Sequence, residues 1–161
     1  MKIGLGKVKQ NMSDKKIGFV CSAFDLFHAG HIMMLKEAKA QCEYLIVGLQ
    51  TDPTIDRDWK NKPVQGVFER FVQLQACKYV DEIIPYATED ELRNILLSYP
   101  INVRILGHEY KDIEFTGKEE GWLHGIEIYY NKREHSFSTT ELRQRVVAAE
   151  INKGLKDGNS T

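Results

Sequence analysis

The stretch Ile17-Gly18-Phe19-Val20-Cys21-Ser22-Ala23-Phe24-Asp25-Leu26-Phe27-His28-Ala29-Gly30-His31 changes its hydrophobic period part-way along. Its first part, IGFVCS (17–22), is a short apolar run of the kind that forms a buried strand. From about Ala29 to Gln41 the period becomes helical, with Ile32, Leu35, Ala38 and Cys42 on one face. YLIVGL (44–49) then reads as a second buried strand. Strand, helix and strand in that order form a βαβ unit, which requires its two strands to be parallel.

The rest of the chain extends the same alternation. Residues 66–80 predict a second amphipathic helix with Phe68, Phe71, Val72 and Ala76 inward, and DEIIP (81–85) a short strand. Residues 88–99 predict a helix in which Thr88 and Glu91 have capping-box spacing. VRIL (103–106) and IEIYY (126–130) read as strands, and residues 138–150 as the last helix. The expected fold is therefore α/β, a Rossmann-like parallel sheet with helices on both faces. One domain is expected over 15–150, with a flexible polar arm at 1–14 and a flexible tail at 151–161.

Composition narrows the function. The chain has 161 residues, is 42% apolar and 28% charged, and carries a formal net charge of -1. That charge gives no general attraction to nucleic acid or to an anionic membrane surface. No apolar run reaches the length of a membrane span, and a cytoplasmic address is expected. Cys21, Cys42 and Cys77 lack CxxC spacing, so reduced, mostly buried thiols are expected and no zinc site. No GxGxxG follows the first strand, which disfavours a dinucleotide-dependent dehydrogenase. The TGK at 116–118 is not a Walker loop, since position 112 is Asp where the leading glycine belongs.

In an open parallel sheet ligands bind beyond the carboxyl ends of the strands, at a topological switch point. Three segments fall there: 22–31, 107–121 and 131–143. In the first, His28 and His31 lie three apart and project from one side of a helix start. Free N–H groups and the positive end of the helix dipole lie there too, and Gly30 lets a bulky ligand approach the backbone. Two imidazoles over such a start can donate hydrogen bonds to phosphate oxygens and stabilise a five-coordinate transition state. In the third, Ser138-Thr139-Thr140-Glu141 opens another helix with capping-box spacing. Lys132 and Arg133 precede it, and Arg143 and Arg145 follow; Arg143 ranks below Arg133 as a phosphate partner. The loop 51–70 carries Lys60 and Lys62, of which Lys60 is preferred as a mobile charge reaching a triphosphate. Residues 107–121 read as a long polar loop begun by His108, Glu109 and Tyr110. Trp59 and Trp122 are candidates for stacking on a base or for packing at loop edges.

FDLFHAGH (24–31), KYVDEIIP (78–85) and REHSFSTTELR (133–143) together resemble the HxGH nucleotidyltransferase superfamily. The resemblance runs from about residue 17 to 147 and is closest to glycerol-3-phosphate cytidylyltransferase and related cytidylyltransferases. It departs from that family at Ser22-Ala23, where Gly-Thr is usual, and at Ser136-Phe137, where Gly-Ile is common. The resemblance implies transfer of CMP from CTP to a small phosphorylated acceptor, with pyrophosphate released and magnesium accompanying the triphosphate. It implies His28, His31, Lys60 and Arg133 as catalytic, and Ser138, Thr139 and Thr140 as triphosphate contacts. Ser22, Ala23, Phe24 and Gly30 line the nucleotide side, while Asp25 and Tyr110 serve the acceptor. It places KYVDEIIP near a homodimer interface, with plain packing as the other reading of that segment. An ATP-dependent adenylyltransferase is the enzymatic alternative, and a non-catalytic nucleotide-binding regulatory protein the alternative of another class.

Overall fold

The computed structural model describes residues 14–157, so nearly all of the 1–14 arm lies outside the described residues. The chain runs β1 (Ile17–Ser22), α1 (Ala29–Lys39), β2 (Tyr44–Gln50), α2 (Val67–Gln75), β3 (Glu82–Tyr86), α3 (Glu89–Ser98), β4 (Val103–Gly107), α4 (Lys118–Leu123), β5 (Glu127–Asn131) and α5 (Thr139–Asp157). Among the described residues the five strands form one sheet in the order β3-β2-β1-β4-β5. Every neighbouring pair is parallel, in registers such as Val20 opposite Val47 and Ile105. The order reverses at β1, so the crevice between the ends of β1 and β4 is the switch point.

Alternation along each strand divides the core in two. Val20, Leu45, Val47, Leu49 and Ile105 face one side and pack with Leu35 and Ala38 of α1 and Leu74 of α2. Phe19, Ile46 and Tyr86 face the other and meet Leu92, Ile95 and Leu96 of α3. The α/β architecture with helices on both faces is thus as expected. The capping box that starts α3 is also present: Thr88 accepts from the Glu91 N–H, and Glu91 reaches back to the Thr88 N–H.

Several expectations about facing fail, each for a physical reason. In α1, Leu35 and Ala38 are buried but Ile32 stands in solvent, because the helix start is turned by its histidine cap rather than by its apolar stripe. In α2 the difference is larger. Phe68 is 78% exposed, Val72 and Ala76 are exposed too, and only Phe71 of the expected face packs inward. The buried residues of α2 are Arg70 and Leu74. Arg70 donates to the carbonyls of Ala23, Gln50, Thr51 and Gln65, which lie inside, and satisfying these donors sets the helix rotation. The polar loop at 107–121 holds a single 3-10 turn at His108–Tyr110 and the start of α4. α5 continues to Asp157, past the boundary drawn at residue 150, and its Val146 and Val147 are exposed. All three cysteines are free, though half-buried rather than fully buried.

Replacing Arg70 by Ala leaves four carbonyls without their donor in or near the core. At roughly 1 kcal/mol or more for each, the cost is about 4 kcal/mol. Urea unfolding is expected to show a loss of that size, and a loss under about 1 kcal/mol would mean that Arg70 holds nothing together.

Candidate functional site

The turn after β1 is built under strain. Phe24 and Leu26 have φ of 51° and 50°, in the left-handed region that bulky residues avoid. Such a backbone persists only where surrounding contacts over-determine it. Here Arg70 Nη1 donates to the Ala23 carbonyl at 2.7 Å, and the Leu26 N–H donates to Gln65 Oε1 at 2.8 Å. The Phe24 ring is buried in the core beside β1. Asp25 is buried and accepts from the Gln65 N–H at 2.9 Å and from Arg143 Nη2 at 2.6 Å. Burial opposes its charge, but the N–H groups of Gln65 and Val64 and the Arg143 guanidinium outweigh it and hold the carboxyl below its usual range. Asp25 therefore ties the turn to the 64–65 loop and to α5. Arg143, ranked low from sequence, is what docks α5 over the turn.

At the start of α1 the two histidines cap each other. His28 Nδ1 accepts from the Gly30 N–H at 3.0 Å, and His31 Nδ1 accepts from the His28 N–H at 3.3 Å. This is a capping box made of imidazoles instead of hydroxyl and carboxylate. With Nδ1 accepting, each neutral ring carries its proton on Nε2. His28 Nε2 lies 3.3 Å from Thr139 Oγ1, and that hydroxyl donates to the Asp25 carbonyl at 3.3 Å. The rings stack at 4.0 Å. Burial and the neighbouring His28 push His31 down to about 3. Burial, His135, Arg133 and Arg145 lower His28 as well. Both rings are thus neutral Nε2–H donors near pH 7.

Gly30 is needed for a different reason from the one expected. A Cβ there would stand 2.9 Å from His28 Cε1 and 3.0 Å from His135 Cε1. Rings, rather than an open approach to the backbone, occupy that face. His135 itself, with its ring stacked on Phe137, is a neighbour that motif reading passed over.

At the start of α5, Ser138 Oγ accepts from the Glu141 N–H at 3.1 Å, so its hydroxyl is the helix cap. Thr139 turns to His28, while Thr140 is exposed at the cleft. Two cavities flank the strand ends. The larger, about 930 Å³, is bordered by Ser22, Ala23, Asp25, Lys60, Tyr110 and Thr140. The smaller, about 640 Å³, is bordered by His28, Gly30, Arg133, His135 and Ser138. They meet at His31, Met34, Gly107 and Thr139. Arg133 is exposed with φ of 44°, on the far side of this junction from Lys60. Lys60 rather than Lys62 borders the cleft; Lys62 lies 3.7 Å from Asp52. Tyr110 is half-buried, and that burial raises its phenol. His108 borders neither cavity, Trp59 stands exposed at the larger, and Trp122 is exposed away from both.

A five-stranded parallel sheet whose strand-end crevice holds imidazole donors and a second helix start is an α/β class of fold, and comparison with known proteins specifies it. The profile of the family described as Cytidylyltransferase-like matches residues 19–145, and the chain belongs to that family. It is 44% identical over 136 residues to a probable ethanolamine-phosphate cytidylyltransferase of Encephalitozoon cuniculi, covering 83% of this chain and 40% of that protein. It is 32% identical over 108 residues to the ethanolamine-phosphate cytidylyltransferase of Arabidopsis thaliana, covering 66% of this chain and 26% of that one. The chain thus spans well under half the length of these relatives. In fold it is similar to a lipopolysaccharide core biosynthesis protein from Thermoplasma volcanium, with a TM-score of 0.62 at 22% identity, covering 75% of this chain and 99% of that one. Among the described residues no helix is long and apolar enough to cross a membrane.

His31 has a measurable consequence. Its folded value near 3 lies below the ordinary 6.5, so the unfolded chain binds its proton first as pH falls. Stability from this group is present above 6.5 and is lost progressively below it, at up to about 1.4 kcal/mol per pH unit. Calorimetric melting from pH 7 to pH 5 is expected to show a fall that His31→Gln flattens. Parallel curves for the two proteins would remove this linkage.

Proposed function

We propose that the chain transfers CMP from CTP to a small phosphorylated acceptor of the glycerol-3-phosphate kind and releases pyrophosphate. The observation that carries this reading is the junction of two cavities at His31 and Thr139, within reach of the His28 Nε2 proton. The nucleotide takes the smaller cavity, its triphosphate beside Arg133 and the start of α5, and the acceptor takes the larger, so that Ser22, Ala23 and Phe24, expected on the nucleotide side, border the acceptor's cavity instead. The α-phosphate then lies where they meet, with an acceptor phosphate oxygen attacking in line from the Lys60 side.

No covalent intermediate is required, since the acceptor is already an anionic nucleophile. What the protein supplies is positioning and neutralisation of the charge that builds on the α-phosphate. The Nε2–H groups of His28 and His31 donate to its oxygens; Thr139 hands His28 over when phosphate displaces it. Lys60 and Arg133 approach from opposite sides. Among the described residues no group of three or more His, Cys, Asp or Glu is placed to hold a metal. Magnesium belongs to the same proposal: accompanying the triphosphate, it would supply further neutralisation of phosphate charge beside that of Lys60 and Arg133. A homodimer belongs to the same proposal. The exposed Val67, Phe68 and Val72 face of α2, directly before KYVDEIIP, is the surface it would use.

His28→Ala and His31→Ala are each expected to lower kcat at least about 100-fold with the fold retained, a loss of ~3 kcal/mol or more of transition-state stabilisation. Pyrophosphate release assayed with CTP and ATP separately reads this out. Near-normal turnover in either variant removes the assigned role, and turnover with ATP alone replaces CTP. CTP binding without turnover on any phosphomonoester would make the chain a regulatory binding protein.

A further inference from the structure

The charges bordering the larger cleft pair off almost completely. Six cationic side chains line it besides His31. Arg57 is held by Glu89, Arg93 by Glu120, Lys118 by Glu114 and Arg143 by Asp25. Lys60 and Arg104 have no carboxylate partner among the described residues. Lys60 is exposed to solvent. Arg104 is only 3% exposed.

Arg104 interrupts the apolar run of β4 and passes under the 115–117 segment. Its Nη1 donates to the Thr116 carbonyl, and the guanidinium lies over the Phe115 ring, 5.2 Å from the centroid. Gly117, with φ of 79°, leaves Nη1 its space, for a Cβ there would come within 2.9 Å of it. Nε is buried without any partner. One carbonyl therefore answers a group that has five N–H donors and a full charge. A buried cation in that condition is costly unless an anion completes it, and a planar fork matches carboxylate or phosphate best.

We propose that Arg104 receives a second anionic group, carboxylate or phosphate, carried by the acceptor away from its reacting phosphate. This rests on the assignment of the larger cleft to the acceptor, and it replaces glycerol 3-phosphate itself with a phosphate ester that carries a second anionic group. Arg104 lies three residues before the end of β4, roughly 10 Å below the rim where the phosphates react. The acceptor spans that depth. A volume of about 930 Å³ admits a molecule longer than a two-carbon phosphate ester. An acceptor ending in an ammonium group would meet an unpaired guanidinium there, since Glu119, the one lining carboxylate without an ion-pair partner among the described residues, is exposed.

The test compares acceptors that differ in the distal charge. Calorimetric titration uses glycerol 3-phosphate against 3-phosphoglycerate, and fructose 6-phosphate against fructose 1,6-bisphosphate, with phosphoethanolamine as the cationic probe. In at least one pair the more anionic member is expected to bind tenfold or more tightly. Arg104→Leu and Arg104→Gln should abolish that preference while CTP affinity stays within twofold. Two variants guard against one failing to fold, and the unchanged CTP affinity certifies both. The proposal is overturned if neither pair discriminates, if phosphoethanolamine binds tightest, if the preference survives both variants, or if they weaken CTP instead. Binding is read without turnover, so absent pyrophosphate release would count against the transfer reaction alone.

Discussion

Arg70 and Asp25 hold the β1–α1 turn in a conformation that its own residues disfavour. Arg70 joins the carbonyls of Ala23, Gln50, Thr51 and Gln65 into one node. Asp25 joins the turn to Gln65 and, through Arg143, to the helix that follows the last strand. Four segments far apart in sequence, at 23–25, 50–51, 65–70 and 143, thus converge on the end of β1. With the turn loosened, Phe24 and Leu26 would relax to ordinary φ, and the cap on α1 would lose its direction.

That constraint also explains the electrostatics. His31 is neutral because it is enclosed beside His28, and it is enclosed because the Phe24 and Phe27 rings pack against it at 5.4 and 5.6 Å. Neutral rings with Nδ1 committed to backbone N–H groups present Nε2–H without rearrangement. Preorganised donors of this kind stabilise developing charge more effectively than solvent, which must reorient. The same scaffold separates the positive groups. Arg133 and Lys60 stand on opposite sides of the junction, and Arg104 lies deep in one cavity alone.

Much of this was legible from residue order. The alternation of short apolar runs with helical periods identified a parallel sheet, and with it the strand ends where a ligand would sit. His28, His31 and the Ser138-Thr139-Thr140 helix start were legible because helix capping is local, set by residues within one turn of each other. His135 and Arg104 were not singled out, and Arg143 was ranked below Arg133. Their meaning depends on partners that the chain brings back from more than ten residues away.

Sequence by itself determined the five strands and every helix except the short α4 (Lys118–Leu123), since hydrophobic period and capping are local properties of the chain. It also determined the family, through motifs that lie within single turns. Tertiary structure alone decided how α2 is rotated, because a buried guanidinium must satisfy its donors before an apolar stripe can choose its side. It alone decided that Arg143 is paired and Arg104 is not, because a charge is completed by whatever folds against it, and periodicity carries no record of that neighbour.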